Sequence, residues 1–427
     1  MSKLDELIQQ YCPNGVERKK LGDFATISRG GSFQKKDFFA EGFPCIHYGQ
    51  IYTRYGLFAK NTFTFISAEC AEKQKKASPG DVVMAVTSEN IEDVCKCLAW
   101  LGDGEVAVSG HSAIIHHNQN PKYLVYYFHT AAFFVQKRKL AHGTKVIEVT
   151  PDKLKDISIP LPPLEVQSEI VRILDNFTEL TAELTAELTA RKKQYEFYRD
   201  KLLTFDNANV PLFELRSVVK ECCSGSTPTK GNSEYYTNGT IPWIRTQDVR
   251  FNEITEVDSY ITEKAVAETA VKWIPENCVI VAISGATAGR CAINKIKATT
   301  NQHCLNLEID ETKALYKYIY YCVYSKYDEL ISRKQGARGD LNSSLVLSLT
   351  IPVPTLDVQK RLVYVLDNFD AICSDLKIGL PAEIEARKKQ YEFYRDALLT
   401  YAATGKTILT DRQTDRQTDR QTDRQTD

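Results

Sequence analysis

The chain has 427 residues, 43% of them hydrophobic and 26% charged, which is enough for two or three domains of ordinary soluble composition. Its 54 basic and 55 acidic residues give a formal net charge of −1, so the chain lacks a global basic signal and any anion-binding surface must be a local patch. No apolar run is long enough to span a membrane. The twelve scattered cysteines lack paired metal-ligand spacing, which favours reduced thiols in the cytoplasm and no zinc site.

Residues 1–158 mix short strand-like runs with turns. The strand-like runs occupy residues 81–86, 105–108 and 112–116. Asn120 and Pro121 then provide helix-start chemistry ahead of an apolar stretch from Tyr123 to Val135. The pattern predicts a first mixed α/β domain over residues 1–158.

Residues 159–205 are predicted to be a helical region. It opens on a proline-rich segment, IPLPP, which we expect to be extended because proline disfavours helix in the residue before it, and a long helix follows. Apolar residues then recur at steps of three and four from Val166 to Leu202, which is typical of a coiled-coil seam. The middle of the helix carries a tandem TAEL repeat within residues 178–188.

Residues 206–350 form a second variable region with the same kinds of element. A glycine-rich turn is predicted from Cys223 to Pro228, a strand over residues 279–283, and a helix from Tyr316 to Ile331. The two variable regions are similar in length and element order but share little residue identity. They are predicted to be one fold with two different surfaces.

Residues 351–404 repeat the first helical region. The decapeptide RKKQYEFYRD stands at 191–200 and again at 387–396, and the run LDNF stands at 174–177 and at 366–369. Such an internal repeat predicts a pseudo-twofold arrangement of two domains and two helices. Gly379 and Pro381 predict a kink or break in the second helix. Residues 405–427, mostly a TDRQ repeat, are predicted to be a disordered tail.

No convincing catalytic set is present. The GKT sequence at 405–407 lacks the glycine that a phosphate-binding loop requires five residues earlier. The NPKY sequence at 120–123 is one substitution from a motif of adenine methyltransferases, but no glycine-rich cofactor loop accompanies it, so an ordinary helix start is the better interpretation. His111, His116 and His117 have no partnered nucleophile and are interpreted as core or surface residues. The chain is therefore predicted not to be an enzyme.

Each variable region carries polar clusters of the kind that contact DNA, where arginine and lysine bind phosphates and arginine, asparagine and glutamine read base edges. The candidate DNA-binding residues of the first region are Arg29, Gln34, Lys35, Lys36, Tyr48, Gln50, Arg54, Thr144 and Lys145, with His47 and Tyr52 in the same cluster. Those of the second region are Thr227, Lys230, Arg245, Gln247, Arg290, Asn301, Gln302, Arg338 and Asn342, with Ser226, Arg333 and Lys334 nearby.

The alternation of two variable domains with two near-identical helical regions resembles the specificity subunit of type I restriction-modification enzymes. The resemblance rests on that order, on IPLPPLEVQ at 159–167 and its echo at 351–359, and on the loops GTK at 143–145 and GARGDL at 336–341. It covers nearly the whole chain except the tail. It implies two target-recognition domains, separated by two long antiparallel coiled-coil helices, that each read one half of a bipartite, asymmetric DNA site.

The resemblance also implies partners and cofactors. The helices would dock two modification subunits, which methylate adenine with S-adenosylmethionine, and restriction subunits would add ATP- and Mg²⁺-dependent translocation and cleavage. This chain itself would bind double-stranded DNA and no cofactor, metal or membrane. The candidate subunit-docking residues are those of the repeated decapeptide, namely Arg191, Tyr195, Tyr198, Arg387, Tyr391 and Tyr394.

The repeat in the helix is implied to set the spacer between the half-sites. Four helical residues add about 6 Å, against roughly 3.4 Å per base pair, so one repeat corresponds to one or two base pairs. Two alternatives from other classes remain. A stand-alone methyltransferase or nuclease would need a cofactor loop or carboxylate cluster, which the sequence lacks. A coiled-coil scaffold without DNA specificity would leave the two unlike domains unexplained.

Overall fold

The structure is a computed structural model that describes residues 2–205, 210–335, 340–374 and 379–404. The predicted tail lies outside the described residues. The chain divides into two compact units, and neither follows the linear order of domain and helix. The first unit comprises Met1–Leu184 and Ile384–Asp427, and the second comprises Thr185–Glu383. Each unit therefore contains one variable region, the start of the helix that follows it and the end of the other helix.

The first unit consists of short strands and helices followed by the long helix. Its strands are β1 (Arg18–Lys20), β2 (Ala25–Arg29), β3 (Phe43–Ile46), β4 (Phe58–Ala59), β5 (Thr64–Ile66), β6 (Lys76–Ala77), β7 (Val82–Ala85), β8 (Thr87–Ser88), β9 (Cys97–Trp100), β10 (Val106–Val108), β11 (Ser112–His117), β12 (Ile147–Glu148) and β13 (Ser158–Pro160). Its helices are α1 (Lys3–Tyr11), α2 (Leu21–Phe24), α3 (Tyr48–Thr53), α4 (Ala68–Glu72), α5 (Pro121–Tyr127), α6 (Ala131–Leu140), α7 (Pro151–Leu154) and the first part of α8 (Leu164–Thr204).

The second unit repeats this pattern. Its strands are β14 (Leu212–Glu214), β15 (Val219–Ser224), β16 (Ile241–Ile244), β17 (Glu253–Ile254), β18 (Tyr260–Ile261), β19 (Trp273–Ile274), β20 (Val279–Ala282), β21 (Cys291–Asn294), β22 (Ala298–Thr300), β23 (Cys304–Ile309) and β24 (Thr350–Pro352). Its helices are α9 (Glu263–Glu268), α10 (Tyr316–Ser325), α11 (Tyr327–Ser332), α12 (Ser343–Leu347) and α13 (Leu356–Ser374), and α14 (Leu380–Thr404) returns almost entirely to the first unit.

The sheets of the two units have the same topology. The first unit has a five-stranded sheet in the order β2-β11-β7-β9-β4 and a four-stranded sheet in the order β5-β3-β10-β6. The second has β15-β23-β20-β21-β17 and β18-β16-β22-β19. Each larger sheet has one parallel pair, at its β4 or β17 edge, and each smaller sheet has one, between β3 and β10 or between β16 and β22. The prediction of one mixed α/β fold with two surfaces is confirmed.

The start of each long helix belongs to the core of its own unit. Val166, Ile170 and Leu174 of α8 are fully buried in the same cluster as α5, so these seam positions pack on the domain. In both units a buried tyrosine of the preceding helix donates its hydroxyl to the proline-rich segment. Tyr123 reaches the carbonyl of Pro160 at 2.7 Å, and Tyr318 reaches that of Pro352 at 2.9 Å.

A fully buried glutamine fixes the start of each long helix. Gln167 accepts from the backbone N–H of Asn120 at 3.0 Å and donates to the carbonyl of Pro162 at 2.7 Å. Gln359 accepts from the backbone N–H of Leu315 and donates to the carbonyl of Pro354 in the same way. The glutamine that ends both repeats of the proline-rich motif is therefore a structural residue, because a buried amide must be paired.

The aspartate of each LDNF run holds the same two side chains. Asp175 accepts from Lys122 Nζ at 2.5 Å and from the Tyr126 hydroxyl at 2.6 Å. Asp367 makes the equivalent contacts in the second unit. Its partners are Lys317 Nζ at 2.9 Å and the Tyr321 hydroxyl at 2.7 Å.

Two predicted helices are each divided in the structure. The apolar stretch after Asn120 forms α5 and then α6, because the Thr130 side chain caps a new helix by accepting from the Phe133 N–H at 3.2 Å. The predicted helix from Tyr316 to Ile331 is also two helices, with Lys326 between them in a non-helical conformation. A continuous apolar pattern did not reveal these breaks.

Two further boundaries differ from or qualify the sequence predictions. Cys223 and Ser224 complete strand β15, so the glycine-rich turn begins only at Gly225. In the second helical region α13 ends at Ser374 and a new helix begins at Leu380, with Pro381 in its first turn. A proline is tolerated there because the first turn needs no amide donor. Residues 375–378 between the two helices lie outside the described residues.

Helix α1 covers the start of α8 in the first unit. Its Leu4 and Ile8 belong to the same buried cluster as Val166 and Ile170, and Lys3 Nζ lies 3.0 Å from the carboxylate of Glu169. The equivalent positions of α13 are less covered, since Val358 and Val365 are each 37% exposed, whereas Val166 is fully buried. This is the clearest departure from the internal symmetry.

We predict that Tyr126→Phe loosens the first unit alone, because it removes a hydroxyl bonded to an aspartate, an interaction of roughly 1.5–3 kcal/mol. Hydrogen exchange measured by mass spectrometry should be faster in α5 and in the start of α8. Tyr321→Phe is the matched variant and should accelerate exchange in α10 and α13. Equal acceleration of both units by either variant would contradict the division into two units.

The first unit should also be sensitive to acid. Burial lowers the pKa of His117 and of His129 to about 4 each, against about 6.5 in an unfolded chain. The unfolded chain therefore binds more protons between these values, so the stabilising contribution is present above about pH 6.5 and is lost as the pH falls toward 4. The second unit has Tyr324 where the first has His129. We expect acid to reduce the protection of the first unit against hydrogen exchange, measured relative to the intrinsic exchange rate at each pH. His129→Tyr should make this loss of protection smaller, and Tyr324→His should introduce such a loss in the second unit.

Candidate nucleic-acid interface

Five separate segments of the second unit meet around one cleft of about 700 Å³. The predicted residues come from three of them, which are the loop after β15, the residue that follows β16, and the turn between β22 and β23. The other two segments are residues 236–239 and 258–260. We call this the recognition cleft. Five of the predicted DNA-binding residues line it together with aromatic side chains. The predicted residues are Thr227, Lys230, Arg245, Asn301 and Gln302, and their neighbours in the lining include Tyr236, Trp243, Tyr260 and His303.

Close backbone approach holds the first and third segments together. A Cβ atom on Gly225 would lie 1.9 Å from the carbonyl oxygen of Thr300, so only glycine fits there. The next residue, Ser226, donates its backbone N–H to the same carbonyl at 3.0 Å. In the first unit, a Cβ atom on Gly30 would likewise lie 2.2 Å from the carbonyl oxygen of Ser109. The glycine-rich loops therefore have a packing role in both units.

Hydrogen bonds among the lining residues order the cleft. The Thr227 hydroxyl bonds to the side-chain oxygen of Gln302, and the Gln302 amide nitrogen lies 3.2 Å from Nε2 of His303. The Asn301 side chain is 8% exposed and accepts from the backbone N–H of His303 at 3.1 Å. These contacts leave a set of polar groups with fixed positions.

The first unit presents different side chains at the same topological place. His47 follows β3 as Arg245 follows β16, and Ser109 and His111 lie in the turn between β10 and β11. A row of rings runs through this place. The ring centroids of Phe38 and His47 are 5.6 Å apart, those of His47 and Tyr48 are 4.6 Å apart, and those of Tyr48 and His111 are 4.8 Å apart. The first unit thus has a row of aromatic and histidine rings at the place where the second unit has the cation of Arg245.

His47 is neutral near pH 7. Burial lowers its pKa, and the neighbouring charges of Lys35 and His111 lower it further. Its Nδ1 accepts from the backbone N–H of Gly49 at 3.2 Å, which places the proton on Nε2. The predicted residues Lys35 and Tyr48 are therefore brought together around a histidine that offers a single donor.

The other predicted residues of the first unit occupy two further places. Arg29 is ion-paired with Glu148, which ends the hairpin that carries the exposed Thr144 and Lys145. Gln34, Lys36 and Arg54 are exposed, and the Arg54 guanidinium lies 5.6 Å from the ring centroid of Phe63. Gln50 is only 9% exposed, and its side-chain oxygen accepts from the Thr64 hydroxyl and from the backbone N–H of His47. Gln50 therefore holds neighbouring residues of the site in place and is itself almost inaccessible to a ligand.

The remaining candidates of the second unit lie on neighbouring turns. Gln247 is exposed in the short turn after Arg245, and Arg290 is partly buried in the turn before β21. Asn342 caps α12 by accepting from the backbone N–H of Leu345 at 2.9 Å. Arg338 lies outside the described residues.

The repeated decapeptide makes the same packing contact in each unit. Tyr394 stacks on Phe177 with ring centroids 5.3 Å apart, and Tyr198 stacks on Phe369 at 6.0 Å. Both pairs join an LDNF phenylalanine to a decapeptide tyrosine. The two copies of the decapeptide pack on the same kind of partner, which explains why their sequences are identical.

The other decapeptide candidates divide into buried and exposed groups. Among the described residues, the hydroxyls of Tyr195 and Tyr391 are buried without a hydrogen-bond partner. Arg191 lies 3.4 Å from the Glu187 carboxylate at the surface, and Arg387 bonds to Gln390 at 3.1 Å. Nothing in these contacts tests a docking role, which stays a prediction.

Sequence reasoning missed the aromatic and histidine lining of the recognition cleft. His303 adjoins the predicted residue Gln302, and Trp243 lies two positions before Arg245. A candidate set extended by two residues on either side would therefore have included both. Tyr260 had no signal, since its strand β18 reaches the cleft only through pairing with β16. Within the described part of the chain, no group of three or more histidine, cysteine or carboxylate side chains is arranged for a metal ion, and no helix is long and apolar enough to cross a membrane.

Comparison with known families decides the identity of this architecture. Residues 13–191 and residues 208–386 each match the model of the type I restriction modification DNA specificity domain. The chain belongs to this family. Each matched segment contains one variable region and the first part of the helical region that follows it, and ends where the repeated decapeptide begins.

Curated relatives agree with the family. The chain is 40% identical over 258 residues to a type I restriction enzyme specificity subunit of Escherichia coli, an alignment that covers 58% of this chain and 63% of the relative. It thus spans less than two thirds of that relative's length. It is also 33% identical over 276 residues to a putative type I restriction enzyme specificity subunit of Haemophilus influenzae, covering 61% of this chain and 68% of the relative.

A solved chain shares the fold. It comes from a structure concerned with complex assembly and conformational transition of the type I restriction-modification system, with a TM-score of 0.67 and 18% identity, covering 91% of this chain and 98% of that chain. At this identity the likeness concerns the fold alone.

Proposed function

We propose that this chain is the DNA specificity subunit of a type I restriction-modification complex, in which each unit reads one half of a bipartite, asymmetric DNA site. The observation that carries the proposal is the difference between the two surfaces on identical topology. His47 and Ser109 occupy the places that Arg245 and Asn301 occupy in the second unit, whereas His111 and His303 are the same residue type. Donor and acceptor patterns on base edges are read by the identity of such side chains, so unlike surfaces read unlike half-sites.

Chemistry is assigned to partner subunits in this proposal. Two modification subunits would methylate adenine with S-adenosylmethionine, and restriction subunits would use ATP and Mg²⁺, while this chain supplies recognition and docking. The relatives named as specificity subunits support that division, as does the absence of a catalytic motif from the sequence. The decapeptide helices remain the proposed docking region.

Affinity is proposed to come mainly from the assembled complex. A formal net charge of −1 gives little long-range attraction for DNA, whose binding depends on neutralising phosphates. Exposed cations such as Lys35, Lys145 and Lys230 provide only local contacts in each unit. Partner subunits would supply the other phosphate contacts.

The proposal is tested by expressing the chain with its cognate modification subunit in a host without other adenine methyltransferases. Single-molecule sequencing of that host should reveal one split, methylated motif with two different half-sites. A host that expresses the modification subunit alone is the control and should lack the motif. A complex that forms but leaves no split motif would overturn the proposed function.

We further propose that the TAEL repeat sets the spacer between the half-sites. The repeat lies entirely within the continuous helix α8, so removing residues 181–184 shortens that helix by about 6 Å. The spacer of the methylated motif should shorten by one or two base pairs while both half-sites stay the same. Glu183→Gln keeps the helix length and is the matched control, which should leave the motif unchanged. An unchanged spacer after the deletion would refute the proposal that the repeat sets the spacer.

A further inference from the structure

The recognition cleft of the second unit contains one arginine whose surroundings differ from those of an ordinary surface cation. Arg245 is partly buried, and its Nε is buried without a hydrogen-bond partner among the described residues. No carboxylate of the described chain forms an ion pair with it. The protein covers Nε itself, so a ligand in the cleft would meet the other N–H groups of the guanidinium, which lines the cleft wall.

The backbone and the ring beside it hold this arginine in place. Its backbone N–H donates to the Asp248 carboxylate at 2.8 Å, which fixes the turn after β16. Its guanidinium carbon lies 6.0 Å from the ring centroid of Trp243, itself only 7% exposed, at the outer limit of a cation–π contact. The side chain therefore loses less conformational freedom on binding than a free surface arginine would.

The neighbouring groups favour a planar ligand edge over a single phosphate oxygen. The ordered amides of Asn301 and Gln302 line the same cleft, and ring systems form other parts of its wall. Lys230 is exposed at the cleft and is the better candidate for a phosphate, because a flexible ammonium acts as a point charge. A guanidinium fork matches two adjacent acceptors in one plane, which guanine presents as O6 and N7 in the major groove.

We propose that Arg245 determines specificity for a guanine in the half-site bound by the second unit, donating to O6 and N7 of that base. The inference rests on the proposed DNA-recognition function and adds the identity of one base. The equivalent residue of the first unit, His47, has one of its two ring nitrogens occupied by the backbone of Gly49 and cannot make the paired contact. The two half-sites therefore differ at this position.

The test uses the full chain with its modification subunit and maps methylated motifs by single-molecule sequencing. Arg245→Gln should change the preferred base at one position of one half-site from guanine to adenine, because glutamine pairs with adenine N6 and N7. Arg245→Ala should reduce discrimination at that position by between about 5-fold and 150-fold. The other half-site and the spacer should not change in either variant. A gained preference for adenine has no explanation in misfolding.

Lys230→Ala is the matched control. It should lower methylation uniformly across sites and reduce the salt dependence of DNA binding without changing the motif, as expected for a phosphate contact. If Arg245→Gln and Arg245→Ala behave like Lys230→Ala, Arg245 binds a phosphate and the inference is wrong. The inference is also wrong if the position at which the variants lose discrimination holds a base other than guanine in the motif of the unmodified complex. If the unmodified complex yields no split motif, the proposed function fails, and this inference fails with it.

Discussion

A carboxylate in each long helix, held by a lysine and a tyrosine from the domain before it, is the interaction on which the rest of this structure depends. Asp175 and Asp367 each accept from an ammonium and a phenol that lie four residues apart on a domain helix, so both point from one helical face. With the buried glutamine and the tyrosine–carbonyl bond, they fix the angle and register of a domain on its helix. Any change in the variable surface must leave this set of contacts intact.

That constraint explains where the chain repeats and where it varies. The repeated residues are those that pack a helix on a domain or on another helix, as in the equivalent stacks of Phe177 on Tyr394 and of Phe369 on Tyr198. At the recognition cleft the units differ, with Arg245 and Asn301 in the second where the first has His47 and Ser109. A fixed scaffold with two independent surfaces permits one half-site to change without the other. Helix α1, which packs on the start of α8, and the two-stranded sheet of β8 and β12 have no counterpart among the described elements of the second unit.

The repeats made the architecture predictable from sequence. Identical runs around unlike regions indicated two copies of one fold, and short apolar runs located strands such as β7, β11 and β20. Helix breaks were less accessible, since the cap at Thr130 interrupts an apolar run without any glycine or proline. The division into units was inaccessible, because the return of α14 to the first unit depends on contacts between residues more than two hundred positions apart.

The candidate site shows the same limit at the level of single residues. Composition identified Arg245, Asn301 and Thr227 as polar candidates, but their meeting in one cleft results from a parallel pair of strands, β16 and β22, that sequence alone does not specify. The same polar types also support turns and cap helices, as Gln50 and Asn342 do, and a linear pattern cannot separate the two uses. What distinguishes Arg245 is physical: its buried donor has no described partner, whereas Arg29 already has Glu148. An unused donor matters here because Arg245 also lines a cleft, a combination that no linear pattern reveals.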